Sequence, residues 1–218
     1  MFILLAVGAS FAQSTADEYF NRGVDRQKEG DLAGSIADYT KAIEINPQDA
    51  DAYNNRGNIR KTQGDLVGAM KDFDAAIAAE PESPTAYLNR GVVKKLKGDL
   101  DGAIADYTLA IRRASSNTSA YYNRGTALRE KRDFAGSEAD LTRVIDVNPQ
   151  HSRAFLARGR TRVELNYLEA AVKDFTRSIE IDPKIADAYK FRALAYRALK
   201  KLALAQADEK RAGELASR

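Results

Sequence analysis

The chain has 218 residues, with 34 Lys and Arg against 31 Asp and Glu, one His, and no Cys or Trp. The lack of Cys excludes a disulfide scaffold, thiolate catalysis and Cys-ligated zinc, and a single His excludes a multi-His metal site. With 44 % apolar and 30 % charged residues the chain can bury a core, and a Leu/Ala/Arg-rich body with five Pro favours helices over strands.

Residues 1–12 read MFILLAVGASFA and carry no charge. A spanning helix needs about 20 apolar residues, so this stretch reads instead as the core of an export signal ending in Ser10-Phe11-Ala12, cut before Gln13. No Lys or Arg precedes the run, which is atypical of such signals. On this reading the mature chain is secreted or periplasmic and no part of it inserts into a membrane; without the cut it is cytoplasmic.

From residue 16 the chain repeats. Asn-Arg-Gly occurs at Asn21-Arg22-Gly23, Asn55-Arg56-Gly57, Asn89-Arg90-Gly91 and Asn123-Arg124-Gly125, 34 residues apart each time, and Arg158-Gly159 and Arg192-Ala193 continue the series. The blocks are 16–49, 50–83, 84–117, 118–151, 152–185 and a divergent 186–218. Each predicts two amphipathic helices. In the second block these run over 50–63 and 66–79, with Gly64 as a left-handed stop, Asp65 as the next cap and Pro81 as terminator. Gly30-Asp31 and Gly98-Asp99 repeat the turn, Arg132-Asp133 is a weaker version, and Pro47, Pro149 and Pro183 close other blocks. In the sixth block 202–216 is predicted to be a capping helix, because Glu209 stands where earlier blocks place Tyr39, Phe73, Tyr107, Leu141 and Phe175.

An aromatic opens each first helix (Tyr19, Tyr53, Tyr87, Tyr121, Phe155, Tyr189), and a small residue follows four places on (Gly23, Gly57, Gly91, Gly125, Gly159, Ala193). The second helix answers with Ser35, Ala69, Ala103, Ser137, Ala171 or Ala205, small residues that let the two backbones approach. The repeat length and this aromatic–Gly–Ala–aromatic–Ala–Pro order resemble the tetratricopeptide repeat family over residues 16–218. The resemblance implies an all-α fold, an α-α superhelix or solenoid of stacked antiparallel helix pairs. It also implies a concave groove, lined by the first helices, that holds a peptide or helix of another protein.

Two columns depart from the usual pattern of that family. Arg22, Arg56, Arg90, Arg124, Arg158 and Arg192 precede the small residue, and Asp38, Asp72, Asp106, Asp140, Asp174 and Asp208 follow sixteen places later. The constant offset predicts a charge-assisted brace between the two helices of each pair, with anion binding by the Arg column as the alternative. The column before Arg is Asn21, Asn55, Asn89 and Asn123, which faces the groove in the family. Carboxamides donate and accept, so such a row can hold an extended backbone of any sequence; a similar ladder lines the groove of O-linked GlcNAc transferase. Helix-to-helix bonding among the Asn, or shared descent of the blocks, stands against that reading. Other groove positions vary between blocks: Asn54, Asn58, Lys61, Lys95, Tyr122, Thr126, Arg129 and Arg160. The carboxylate clamp of co-chaperone members is not matched, since Asn54 and Ser119 stand where it wants Lys and Asn123 where it wants Arg.

The first two blocks carry net −6 and the last four +9, enough to steer a partner or to stack chains head to tail. No phosphate-binding, dinucleotide-binding or nucleophile-elbow motif is present, and His151, after Pro149, reads as a solvated turn residue. The sequence thus predicts a non-catalytic interaction scaffold without a cofactor or metal, whose partner is another protein and not nucleic acid. A self-assembling scaffold with charged ends, and a cytoplasmic adaptor or co-chaperone, are the alternatives.

Overall fold

The computed structural model describes the backbone of residues 2–217 and the side chains of residues 15–217, so the export-signal reading of residues 1–12 lies outside the described side chains. Among the described residues the structure is helical throughout. Residues 1–115 form one compact unit and residues 116–218 a second. The first holds α1 (Phe2–Glu29), α2 (Leu32–Ile45), α3 (Ala50–Thr62), α4 (Leu66–Ala79), α5 (Pro84–Leu96) and α6 (Leu100–Arg113). The second holds α7 (Thr118–Glu130), α8 (Phe134–Val147), α9 (Ser152–Glu164), α10 (Leu168–Ile181), α11 (Ala186–Ala198) and α12 (Leu202–Ala216). No helix among the described residues is long and apolar enough to cross a membrane.

Within each unit every helix packs on the next, and first helices also meet across repeats: α3 on α5, α7 on α9 and α9 on α11. The turns inside the pairs are set locally. Gly30, Gly64 and Gly98 take the left-handed conformation with φ near +85°. Arg132, Asn166 and Lys200 hold the same place at φ 60–66°, without the glycine that makes it easy. The caps follow the same division. Asp31, Asp65, Asp99 and Asp133 accept from the N–H of Gly34, Gly68, Gly102 and Gly136, whereas Tyr167 and Lys201 make no side-chain cap. A Cβ at Gly34, Gly68 or Gly102 would lie 2.1 Å from the capping carboxylate, and where the cap is absent the position is Ala170 or Leu204.

In four pairs the core is an aromatic laid on a glycine, and in the fourth pair along the chain Leu141 takes that place against Gly125. A Cβ on Gly57, Gly91 or Gly159 would come 2.5–2.8 Å from the ring of Phe73, Tyr107 or Phe175. The small residues of the second helix do stand against the glycine, with Ser35 donating to the Gly23 carbonyl at 2.7 Å and the Ala103 carbonyl close to Gly91, and the side chain sixteen places on fills the space that the glycine leaves. In the last pair Ala193 replaces the glycine where Glu209 replaces the ring. The Glu209 carboxylate instead takes Arg197 at 2.6 and 2.8 Å on the exposed face of α12.

Candidate functional site

The Arg and Asp columns meet in every repeat. Each Arg donates Nε and Nη2 to the two carboxylate oxygens of the Asp sixteen residues on: Arg22 to Asp38, Arg56 to Asp72, Arg90 to Asp106, Arg124 to Asp140, Arg158 to Asp174 and Arg192 to Asp208. All six Asp are buried. The bonds raise the pKa of Arg90, Arg124 and Arg192, and the Arg22 guanidinium holds the Asp38 carboxyl below its ordinary range. Each guanidinium also lies 4.8–5.7 Å from the centre of the aromatic ring three residues before it.

Two further sets of partners were not expected from the columns. A second cation reaches the same Asp in four repeats: Arg26 on Asp38, Arg60 on Asp72, Lys94 on Asp106 and Arg162 on Asp174, at 2.8–2.9 Å. The remaining Nη1 of the brace reaches back to the preceding pair. Arg56 donates to Thr40, Arg90 to Asp74, Arg158 to Thr142 and Arg192 to Thr176, at 2.9–3.1 Å. Thr40, Thr142 and Thr176 recur at the repeat spacing, a sequence signal that could have revealed this link. The Arg column is thereby committed to ties inside the protein.

The Asn residues of the first unit are partly committed too. Asn54 is 5 % exposed and accepts from Asn89 Nδ2 at 3.1 Å, joining α3 to α5, so its carboxamide is turned inward instead of lining an open face. Asn58 accepts from Lys61 at 2.8 Å, and burial pushes the Lys61 ammonium below its usual range. Asn55 lines a recess of about 330 Å³ with Val24, Gln27, Lys28 and Tyr39. Asn21 is exposed, and Lys95 is half-buried on α5.

The second unit brings together the variable positions. Tyr122, Thr126 and Arg129 of α7, Leu156, Ala157 and Arg160 of α9, and Ala186 of α11 line one cavity of about 630 Å³, with Arg153 and Lys184 also on its lining. Asn123, beside Tyr122, is half-buried and does not line it. Of the two residues that break the Asn row, Ala157 lines the cavity, and Phe191 lies behind its Arg160, whose guanidinium is 4.3 Å from the centre of the Phe191 ring. His151 is not a solvated turn residue. Its Nδ1 accepts from the Ala154 N–H at the start of α9, and its ring stacks on Tyr122 with centroids 5.3 Å apart. Arg129 Nε is buried without a hydrogen-bond partner. Burial and the charge of Arg160 both push the Arg129 pKa down. Among the described residues no group of three or more His, Asp or Glu could hold a metal ion.

Comparisons with known proteins agree on the repeat. The family described as tetratricopeptide repeat matches residues 61–118 and 122–184, and a related TPR repeat description matches 27–64. The crystal structure of YrrB, described as a TPR protein with an unusual peptide-binding site, is 26 % identical, covers 81 % of this chain and 91 % of its own, and superposes with a TM-score of 0.70. MamA is 23 % identical over 74 % of this chain and 94 % of its own, with a TM-score of 0.69. Pseudomonas aeruginosa pilF is 15 % identical over 92 % and 90 %, with a TM-score of 0.79. The last two likenesses are of fold alone. No curated protein sequence matches the chain.

Proposed function

The chain belongs to the tetratricopeptide repeat family, whose matched segments span more than half of it, and from that premise we propose that it is a scaffold holding a peptide or helix of a partner protein on the open face of its first helices. Proteins of this family generally mediate protein–protein interactions. The observation that carries the finer reading is the cavity on α7, α9 and α11, built from the positions that differ between repeats while the packing columns stay uniform. A uniform scaffold with variable lining is what selective binding needs. The peptide-binding site described for YrrB, at 26 % identity, supports the same use of the fold. Under this reading the partner is met in the secreted or periplasmic space, if residues 1–12 are removed on export.

A photo-crosslinking residue placed at Leu156, in the cavity, and separately at Lys173, exposed on α10, tests the proposal in the native extract. Adducts from position 156 and none from 173 are expected. Adducts from 173 alone would move the interaction off the first helices.

A second reading, assembly of copies, draws on a recess of about 440 Å³ in the first unit lined by Asp17, Asp49, Asp51 and Glu80. Burial and the neighbouring carboxylates raise the Asp49 pKa, so the recess favours a cationic partner surface. Sedimentation at about 20 mM and about 500 mM salt separates the two readings: association that disappears with salt supports assembly, and a salt-independent monomer removes it.

A further inference from the structure

We propose that the cavity of the second unit takes an acidic peptide segment, with Arg129 and Arg160 together holding one of its carboxylates. The inference rests on the reading of the first-helix face as the binding surface, and adds to it the chemistry of the partner. Among the described residues every other half-buried arginine has a carboxylate within 4 Å; Arg129 and Arg160 alone have none. Both line the same cavity.

A buried N–H without a partner is costly, and two like charges that share a poorly hydrated wall repel. Arg129 bears both burdens, since its Nε is buried and unbonded and the charge of Arg160 acts against its own. A carboxylate between them would satisfy the open N–H groups and cancel the repulsion in one step. The surroundings hold the two groups ready. Phe191 supports the Arg160 guanidinium at 4.3 Å, and Tyr122, stacked on the capping His151, fixes the wall on the α7 side. Two acidic residues also line the cavity but are placed for other work. Asp182 accepts from the Lys184 N–H in the turn before α11, and Asp187 lies in the first turn of that helix, where a negative charge suits the helix dipole. The cavity of about 630 Å³ admits a few side chains, not a folded surface. This site is also distinct from the three-repeat carboxylate clamp, whose matching places here carry Asn54, Ser119 and Asn123.

The test uses the full chain with fluorescein-labelled hexaglutamate and hexaglutamine, read by fluorescence anisotropy. Hexaglutamate is expected to bind about tenfold or more tightly than hexaglutamine, and to lose that advantage in Arg129→Met/Arg160→Met. The control Arg112→Met/Arg143→Met removes the same charge from exposed positions and should bind like wild type. Loss of equal size in the control, or no preference for glutamate in wild type, would overturn the proposal. So would displacement of the peptide by inorganic phosphate beyond that caused by chloride of equal ionic strength, because the site would then be one for phosphate. Arg129→Met keeps the aliphatic stem and removes a charge that burial and Arg160 disfavour more than Glu130 and Glu164 support it, so its melting temperature is expected to rise by about 1–3 °C. A fall would mark Arg129 as a structural residue and count against a ligand role. Adducts at position 156 without glutamate preference would retain the groove reading and discard this one.

Discussion

Arg56 and Arg22 make the same bidentate bond, yet the Arg56 side chain is 11 % exposed and that of Arg22 is 53 %. Removing a partner from a buried pair leaves a charge unmatched at a cost of about 3–5 kcal/mol, whereas a wet pair is worth about 1 or less. Arg56→Ala is therefore expected to destabilise the first unit strongly in urea unfolding, and Arg22→Ala mildly, the more so because Arg26 still reaches Asp38 at 2.9 Å. The same Asp38 gives a pH signature. Its carboxyl is held low chiefly by the Arg22 bond, and a carboxylate with a lower pKa folded than unfolded stabilises the fold above the ordinary range near about pH 4. That contribution disappears as pH falls through the folded value. Melting temperature is expected to hold between about pH 7 and 5 and to drop below about 4, and Asp38→Asn should lower the plateau and soften the drop.

At the scale of helices and turns, the later repeats fold with poorer local signals than the early ones. Arg132, Asn166 and Lys200 sit at φ 60–66°, a conformation that costs a residue with a Cβ about 1–2 kcal/mol relative to its absence. Substituting glycine is expected to stabilise each turn by about 0.5–1 kcal/mol after the entropy that glycine loses on folding, measured by denaturant unfolding of Arg132→Gly and Lys200→Gly. The helix pairs were legible because Gly30-Asp31, Gly64-Asp65 and Gly98-Asp99 mark stop and cap together, and a period of 34 carries the reading across Asn166 and Lys200, where the marks are missing. The cavity was legible only as scattered groove positions. Its lining changes from repeat to repeat, so no column announces it, and Arg153, Lys184 and the His151–Tyr122 stack come together only when α7, α9 and α11 pack. The Asn row showed the opposite difficulty. A column of carboxamides is plain in the sequence, but the bond from Asn89 to Asn54 joins residues 35 apart in neighbouring columns, and one sequence cannot say which amide finds which.

Across the molecule, the organising fact is that within each unit a repeat packs mainly on its neighbours. Stability in such an array is a sum of local terms and adjacent interfaces. Gly159→Ala would place a Cβ 2.5 Å from the Phe175 ring, inside the second unit. Hydrogen exchange is expected to speed up first across residues 152–185 and then in the adjoining repeats, while residues 16–83 keep their protection. Uniform loss of protection along the chain would show that the repeats unfold together. The braces carry a further consequence. Arg56, Arg90, Arg158 and Arg192 each look sixteen residues forward to an Asp and sixteen back to a Thr or Asp, so each such set of ties fits inside one period of 34. Unequal crossing-over that removes residues 50–83 would bring Arg90 to Thr40 in place of Asp74 and leave its bond to Asp106 untouched. The shortened gene product is expected to fold and to melt cooperatively, so recombination in register can lengthen or shorten this protein one repeat at a time without ever passing through an unfolded ancestor.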